Sequence, residues 1–207
     1  MIRIERLTKR YGALLAVDGL TMEVAEGETL GFIGPNGAGK TTTLKILATL
    51  LRPSAGSAEI AGYNIHRQPA KVRQVLGYMP DFCGVYEDMR VREYLHFFGA
   101  AYGLTGAKVD GMVDDVLALT DLTGKADALA DSLSRGMQQR LQLARVLLHD
   151  PKVLLLDEPA SGLDPRARIE MRMLLKELRD MGKTIIVSSH ILAELGELCT
   201  SIAIIEQ

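Results

Sequence analysis

The chain has 207 residues, 47% of them hydrophobic, and carries a net charge of −2 from 24 basic and 26 acidic side chains. That length suits one domain, or one domain with an inserted lobe, and the apolar content is enough for a sizeable core. The charge balance gives no case for nucleic-acid binding, and no apolar run approaches the roughly twenty residues that span a bilayer. The start, Met1-Ile2-Arg3-Ile4-Glu5-Arg6, lacks the apolar core of a signal peptide. Cys83 and Cys199 fit no metal or redox spacing and read as buried or incidental thiols, not as a disulfide. A soluble cytosolic protein is the expectation.

Met1 to Leu7 alternates apolar and polar residues, the period of a half-buried strand. Leu14 to Val24 is further strand-like material, with Tyr11 and Gly12 between the two. Glu26-Gly27 then turns the chain into a strand, Glu28 to Ile33, that enters Gly34-Pro35-Asn36-Gly37-Ala38-Gly39-Lys40-Thr41-Thr42. This stretch fits the phosphate-loop pattern of glycine, four free positions, glycine, lysine and a hydroxyl residue. Gly34, Gly37 and Gly39 permit backbone angles and close approaches that a Cβ forbids. Backbone N–H groups, at the positive end of a helix over Thr42 to Leu51, then face an anion. Lys40 puts a point charge near the β- and γ-phosphates, and the Thr41 hydroxyl is placed to ligate Mg²⁺. The loop predicts a nucleoside-triphosphate site.

Arg52 to Gly56 reads as a turn, and Ser57 to Gly62 as a short strand ending in a hairpin, so the early region is expected to be antiparallel. Pro69 to Arg73 suggests a short helix and Val75 to Met79 a strand leading to Pro80-Asp81. The pattern then turns helical. Val91, Tyr94, Leu95 and Phe98 share one face, as do Val109, Met112, Val113, Val116 and Leu117, with Gly103 to Gly106 between the two runs. These stripes read as core faces. From Leu133 a further helix runs to about His149, with Ser134 a natural N-cap. Val153 to Leu156 is a continuous apolar run, as in a central parallel strand, and ends in Asp157-Glu158-Pro159. Asp164-Pro165 opens a helix whose buried stripe is Met171, Leu174, Leu175 and Leu178. Thr184 to Ser188 is a second buried strand, ending at Ser189-His190, and a short helix and Ser201 to Ile205 follow. Strands alternating with helices predict a parallel sheet.

In such a sheet the C-terminal strand ends line the ligand crevice. Asp157 and Glu158 therefore belong beside the phosphate loop, with Asp157 suited to Mg²⁺ and Glu158 to orienting or deprotonating an attacking water. His190 follows a buried strand to the same edge, within reach of a γ-phosphate. His66, His96 and His149 have no such placement.

The phosphate loop, Leu133-Ser134-Arg135-Gly136, Val153 to Pro159, Ser161-Gly162-Leu163-Asp164 and His190 together resemble the ordered motif set of the ATP-binding cassette (ABC) ATPases, over essentially all 207 residues. The wording LSRGMQQR and PASGLDPRAR is similar to cassettes that pair with separately encoded membrane subunits, often exporters. The resemblance implies an α/β fold: a P-loop NTPase core with a parallel sheet, an N-terminal antiparallel β subdomain and an inserted helical subdomain. All 207 residues would form a single nucleotide-binding domain, with the helical part at about 82–140. It implies ATP and Mg²⁺ as ligands. Tyr11 would stack on adenine, and Lys40, Thr41 and Thr42 would hold phosphates and metal. Asp157 would support the metal, Glu158 would be the catalytic base and His190 the γ-phosphate sensor. It also implies a head-to-tail homodimer or heterodimer of cassettes, in which Ser134 and Gly136 of one chain complete the site of the other and Asp164 lies at the seam.

Two positions depart from the family pattern. Asp81 stands where Gln is usual; it is shorter and charged, suited to reaching Mg²⁺ through water, or else a loop carboxylate outside the site. Arg135 stands where Gly is commonest, and Met137 where Gln is; Arg135 either adds positive charge near the opposing nucleotide or faces solvent. Phe82, Cys83, Val85 and Tyr86 form a docking patch or pack beneath the helical lobe. The resemblance puts a membrane subunit's cytoplasmic helix there, which makes the chain a peripheral component of the cytoplasmic membrane face. Related chains commonly continue into a C-terminal helical region, so Gln207 ends either a truncated chain or a minimal core. A soluble cassette ATPase acting on ribosomes or DNA would call for two cassettes, a coiled-coil insertion or a basic face. The sequence shows one phosphate loop, and 91–132 is too short for a coiled coil. A kinase-like phosphoryl transferase would leave the Ser134 helix unexplained. Substrate and transport direction lie outside this chain.

Overall fold

The computed structural model describes residues 1–206 apart from Phe82, Cys83 and Glu87, and only the backbone of Ala193 and Glu194. It divides into two compact units, the first comprising Met1–Asp81, Lys152–Pro159 and Lys176–Gln207, the second Phe82–Pro151 and Ala160–Leu175.

The first unit carries two sheets. The strands β1 (Ile2–Tyr11), β2 (Leu14–Val24), β4 (Ala55–Ile60) and β5 (Tyr63–Asn64) form an antiparallel sheet in the order β2-β1-β4-β5. β1 runs four residues beyond the Leu7 expected from alternation. Its register shifts at three points, and Arg6 takes a left-handed φ of 46°. A bulge of this kind breaks the period-two pattern without ending the pairing. Tyr11 consequently closes the hairpin opposite Leu14 instead of lying between strands.

The second sheet is built from β3 (Thr29–Ile33), β6 (Leu76–Met79), β7 (Val153–Asp157), β8 (Thr184–Ser189) and β9 (Ser201–Ile204). Its order is β6-β7-β8-β3-β9 and every pairing is parallel. β3, β7 and β8 are buried along their whole length, which is why apolar residues fill both faces of each, as in Val153 to Leu156 and Ile185 to Val187, instead of alternating. Helix α1 (Lys40–Leu47) starts two residues before Thr42 and stops well before Leu51. Thr49 takes a φ of 61°, and the N–H groups of Leu50 and Leu51 turn back onto the Lys45 carbonyl, a C-terminal cap that the apolar pattern does not reveal. Ile2 and Ile4, Leu30 and Phe32, Leu44 and Leu47, and Val153, Leu155 and Ile186 make one core cluster. Each of these side chains contributes about 1.5–3 kcal/mol by leaving water. That cluster fixes the sheet against α1 and so fixes where the loop between β3 and α1 stands. Helix α2 (Pro69–Val75) precedes β6.

The second unit is helical: α3 (Val91–Ala101), α4 (Ala107–Leu119), α5 (Arg135–Leu147) and the start of α6 (Pro165–Asp180). The expected stripes are buried at Val91, Tyr94 and Leu95 and at Val109, Val113, Val116 and Leu117, whereas Phe98 and Met112 are half-buried. Two 3₁₀ turns, Thr123–Lys125 and Ala130–Ser132, have no periodic signature and escape the sequence reading. Helix α7 (Leu192–Leu195) lies in the first unit. Among the described residues no helix is long and apolar enough to cross a membrane.

Candidate active site

The strands β3, β7 and β8 end on one edge of the parallel sheet, and the chemistry-bearing residues follow them. After β3 the loop wraps into α1, with Gly37 at φ 87° and Gly39 at φ 95°. A Cβ on Gly39 would collide with the Ala16 carbonyl oxygen, and one on Gly34 with that of Ile205. Gly34 is thus required by the neighbouring chain after β9, and Gly39 by both its angle and its neighbour. Pro35, Asn36 and Gly37 are exposed, Ala38 is buried, and Thr41 is exposed with Thr42 half-buried behind it. A cleft of about 420 Å³ runs beside the loop, lined in part by Leu14, Ala16, Val17, Gly37 and Ala38.

Lys40 is only 6% exposed, and a lysine so buried needs partners. Its Nζ donates to the carbonyls of Gly34 (2.6 Å) and Pro35 (3.1 Å) and stands 3.6 Å from Glu158 Oε1. The other carboxylate oxygen, Oε2, is 2.8 Å from His190 Nδ1. A carboxylate only accepts, so Nδ1 carries the proton and Nε2 is left as the second ring nitrogen. Glu158 adopts φ 50°, a left-handed conformation that costs a non-glycine residue about 1–3 kcal/mol. Its N–H donates to Ser188 Oγ at 3.0 Å, which holds that backbone in place. One carboxylate is thereby clamped between a buried cation and an imidazole beside the glycine-rich loop.

Asp157 lies behind it, 1% exposed. Its Oδ1 accepts from Ser188 Oγ at 2.7 Å, while Oδ2 is buried without a hydrogen-bond partner. A buried carboxylate oxygen left unsatisfied is costly, and a cation at Oδ2 would satisfy it. Among the described residues no three His, Cys, Asp or Glu side chains gather into a metal cage. One carboxylate plus a hydroxyl is the donor set expected for a hard cation that keeps its water and takes phosphate oxygens. The residues therefore fit Mg²⁺ better than a transition metal. Asp81 lies beyond β6 and is exposed. Burial, then the charges of Asp157 and Asp81, push the Tyr78 phenol far above its ordinary value.

Sequence reasoning passed over Ser188. The register that pairs it with Asp157 belongs to the sheet; the trace in sequence is a hydroxyl at the end of the apolar run Ile185 to Val187, which needs a partner when buried.

Tyr11 is 46% exposed, with Lys9 Nζ 5.0 Å from its ring centroid. In the second unit, Ser134 caps α5, its Oγ accepting from the Met137 N–H at 3.4 Å. A Cβ on Gly136 would come within 2.8 Å of Ala167 Cβ, so only glycine lets α5 start so near α6. Arg135 is exposed and lays its guanidinium against Gly162. Asp164 caps α6, with Oδ1 accepting from the Ala167 N–H at 2.9 Å. Of the four patch residues, Phe82 and Cys83 lie outside the described residues. Val85 is half-buried and Tyr86 is 52% exposed, its ring against Tyr94, Phe97 and Phe98.

The family described as ABC transporter matches residues 17–161. The "Nod factor export ATP-binding protein I" of Paraburkholderia xenovorans is 42% identical over 206 residues, which is 100% of this chain and 68% of that protein. A solved ATP-binding subunit of an ABC transporter superposes with a TM-score of 0.86 at 31% identity, covering 99% of this chain and 85% of that one. A Clostridium perfringens subunit, cbiO1, described as part of the ABC transporter complex cbiONQ, gives 0.89 at 28% identity, covering 99% of this chain and 84% of its own.

Proposed function

The chain belongs to the ABC transporter family, and from that premise we propose how its residues divide the work of binding and hydrolysing ATP for a membrane transporter. The observation that carries the reading is the clamped carboxylate: Glu158 between Lys40 and His190, at the edge where the phosphate loop leaves β3.

The loop N–H groups and Lys40 bind the triphosphate, and Tyr11 stacks on the adenine. Thr41 and Asp157 would hold Mg²⁺, with Asp81 reaching it through water; the ion supplies charge neutralisation at the β- and γ-phosphates. Glu158 takes a proton from the attacking water as its oxygen bonds to the γ-phosphorus and the bond to the β–γ bridging oxygen breaks. General-base assistance of this kind is worth about 10²–10⁴ in rate. His190 fixes the Glu158 carboxylate through Nδ1–H and so senses a γ-phosphate bound beside that carboxylate. Ser134 and Gly136 supply an exposed helix N-terminus suited to an anion, contributed to the nucleotide of a second cassette, with Asp164 at the seam. The membrane-spanning partner would be an integral subunit of the transporter, which places this chain peripherally on the cytoplasmic membrane face. The relative named for Nod factor export supports an export role.

Glu158→Gln tests the reading. With ATP and Mg²⁺ present it keeps nucleotide binding, loses hydrolysis by at least about 10², and elutes from a sizing column as a dimer. Hydrolysis within tenfold of the parent removes Glu158 as base, and a persistent monomer counts against the shared site. Asp81→Ala in the same assay keeps ATP binding and lowers turnover; unchanged turnover, alone and with the partner subunit, takes Asp81 out of the site.

A further inference from the structure

Two polar atoms on one face of the parallel sheet are buried without partners, and they are chemically complementary. Tyr78 on β6 is the register partner of Leu155 on β7, and Asp157 lies two residues further along β7. Side chains alternate along a strand, so Tyr78, Leu155 and Asp157 share a face. Tyr78 and Leu155 both pack into the core cluster that holds α1. The Tyr78 hydroxyl and Asp157 Oδ2 are each buried and each lack a hydrogen-bond partner. The first is a donor, since a phenol keeps its proton at neutral pH. The second only accepts. Orphaned buried groups are rare in folded proteins, and a donor and an acceptor orphaned on adjacent strands suit a shared water.

We propose that Tyr78 is a positioning residue of the metal site: its hydroxyl donates to a water held at Asp157 Oδ2, fixing that carboxylate and that water for Mg²⁺-nucleotide. With Ser188 Oγ on Oδ1, the carboxylate is then held on both oxygens, one by a strand neighbour and one through water. This rests on the reading of Asp157 as a metal residue. Nothing in the sequence distinguishes Tyr78 from a core aromatic, since its ring does pack in the core.

The test is Tyr78→Phe in the full chain, which keeps the ring and removes only the hydroxyl. ATP affinity is measured by calorimetry in Mg²⁺ and in EDTA, alongside the thermal midpoint of the nucleotide-free protein. Groups that hold a metal's ligands in place typically alter metal affinity about 10- to 100-fold; acting through a water, Tyr78→Phe is expected to weaken Mg²⁺-ATP about three- to tenfold. ATP affinity in EDTA stays unchanged, and the midpoint stays within about 2 °C of the parent, because the ring that packs in the core is kept. Equal losses in Mg²⁺ and EDTA with a lowered midpoint would mean a packing role only, and no loss in Mg²⁺ would mean an idle hydroxyl; either overturns the proposal. Asp157→Asn separates the premise: it abolishes the Mg²⁺ dependence of ATP binding. If that dependence survives, the metal reading fails and takes the Tyr78 role with it. If Asp157→Asn behaves as expected and Tyr78→Phe does not, the Tyr78 role alone fails.

Discussion

Ser188→Ala is the most informative single change outside the phosphate loop. Ser188 is fully buried, and its hydroxyl makes two bonds at once: it donates to Asp157 Oδ1 and accepts from the Glu158 N–H. The bond to a charged carboxylate is worth about 1.5–3 kcal/mol, and the orphaned N–H adds about 1 kcal/mol. A total near 3 kcal/mol is a large share of the roughly 5–15 kcal/mol that holds a domain folded. At about 2–4 °C per kcal/mol for a chain of this size, the thermal midpoint should fall by about 6–12 °C, followed by circular dichroism. Turnover should fall further than stability alone explains, because the Glu158 backbone sits at an unfavourable φ and loses the partner that keeps it there. Ser188→Thr keeps the hydroxyl and should recover most of the stability. A midpoint shift under about 2 °C for Ser188→Ala, with turnover unchanged, would refute the claim that this hydroxyl holds both carboxylates.

Two further outcomes follow from the surface and from the one described cysteine. Charge introduced at Tyr86 should weaken binding to the membrane partner while basal hydrolysis continues, since its half-exposed ring sits on Tyr94, Phe97 and Phe98 away from the phosphate loop in sequence; a pull-down from detergent-solubilised membranes reads this, and full retention of the partner sinks the patch. Burial pushes the Cys199 thiol up to about 11, so its thiolate at pH 8 is about 200-fold scarcer than in a free peptide. Site-resolved alkylation should be slower by about that factor, and a rate within tenfold of a free peptide contradicts the burial. The stability owed to the protonated thiol is complete below about pH 9 and is lost as pH climbs toward 11.

The parallel core was legible because burial on both faces leaves a plain mark. Val153 to Leu156 and Ile185 to Val187 are apolar runs too short for helices, and both lie in central strands. β1 was legible only to the point where Arg6 breaks alternation, since a bulge shifts the side-chain period by one residue and the cross-strand hydrogen bonds that carry the strand on to Tyr11 leave no trace in composition. The end of α1 failed for a related reason: Thr49 turns left-handed where no glycine announces it. Local chemistry that resides in one residue, such as the Ser134 cap, could be read directly; geometry that depends on a distant carbonyl, such as the Ile205 oxygen that excludes a Cβ from Gly34, could not.

At the site the same division holds, and it explains what Ser188 and Tyr78 have in common. Asp157 and Glu158 carry charge at the end of an apolar run, and Lys40 stands in a motif of fixed spacing, so all three are conspicuous in sequence. Neutral hydroxyls in buried strands resemble filler until register is known. Register is what pairs Ser188 with Asp157 and sets Tyr78 beside Leu155, one step of alternation below Asp157. A carboxylate at the end of a buried strand loses its hydration on every side but the open edge, so its geometry depends on whatever donors the neighbouring strands supply. β8 supplies one to Asp157 from Ser188, and β6 presents another at Tyr78. Glu158, one residue further on, is lifted out of that sheet by its left-handed φ and is instead held by side chains, Lys40 and His190. That contrast separates the two acidic residues physically: the Asp157 carboxylate is fixed from within the sheet, and the Glu158 carboxylate by the side chains of Lys40 and His190.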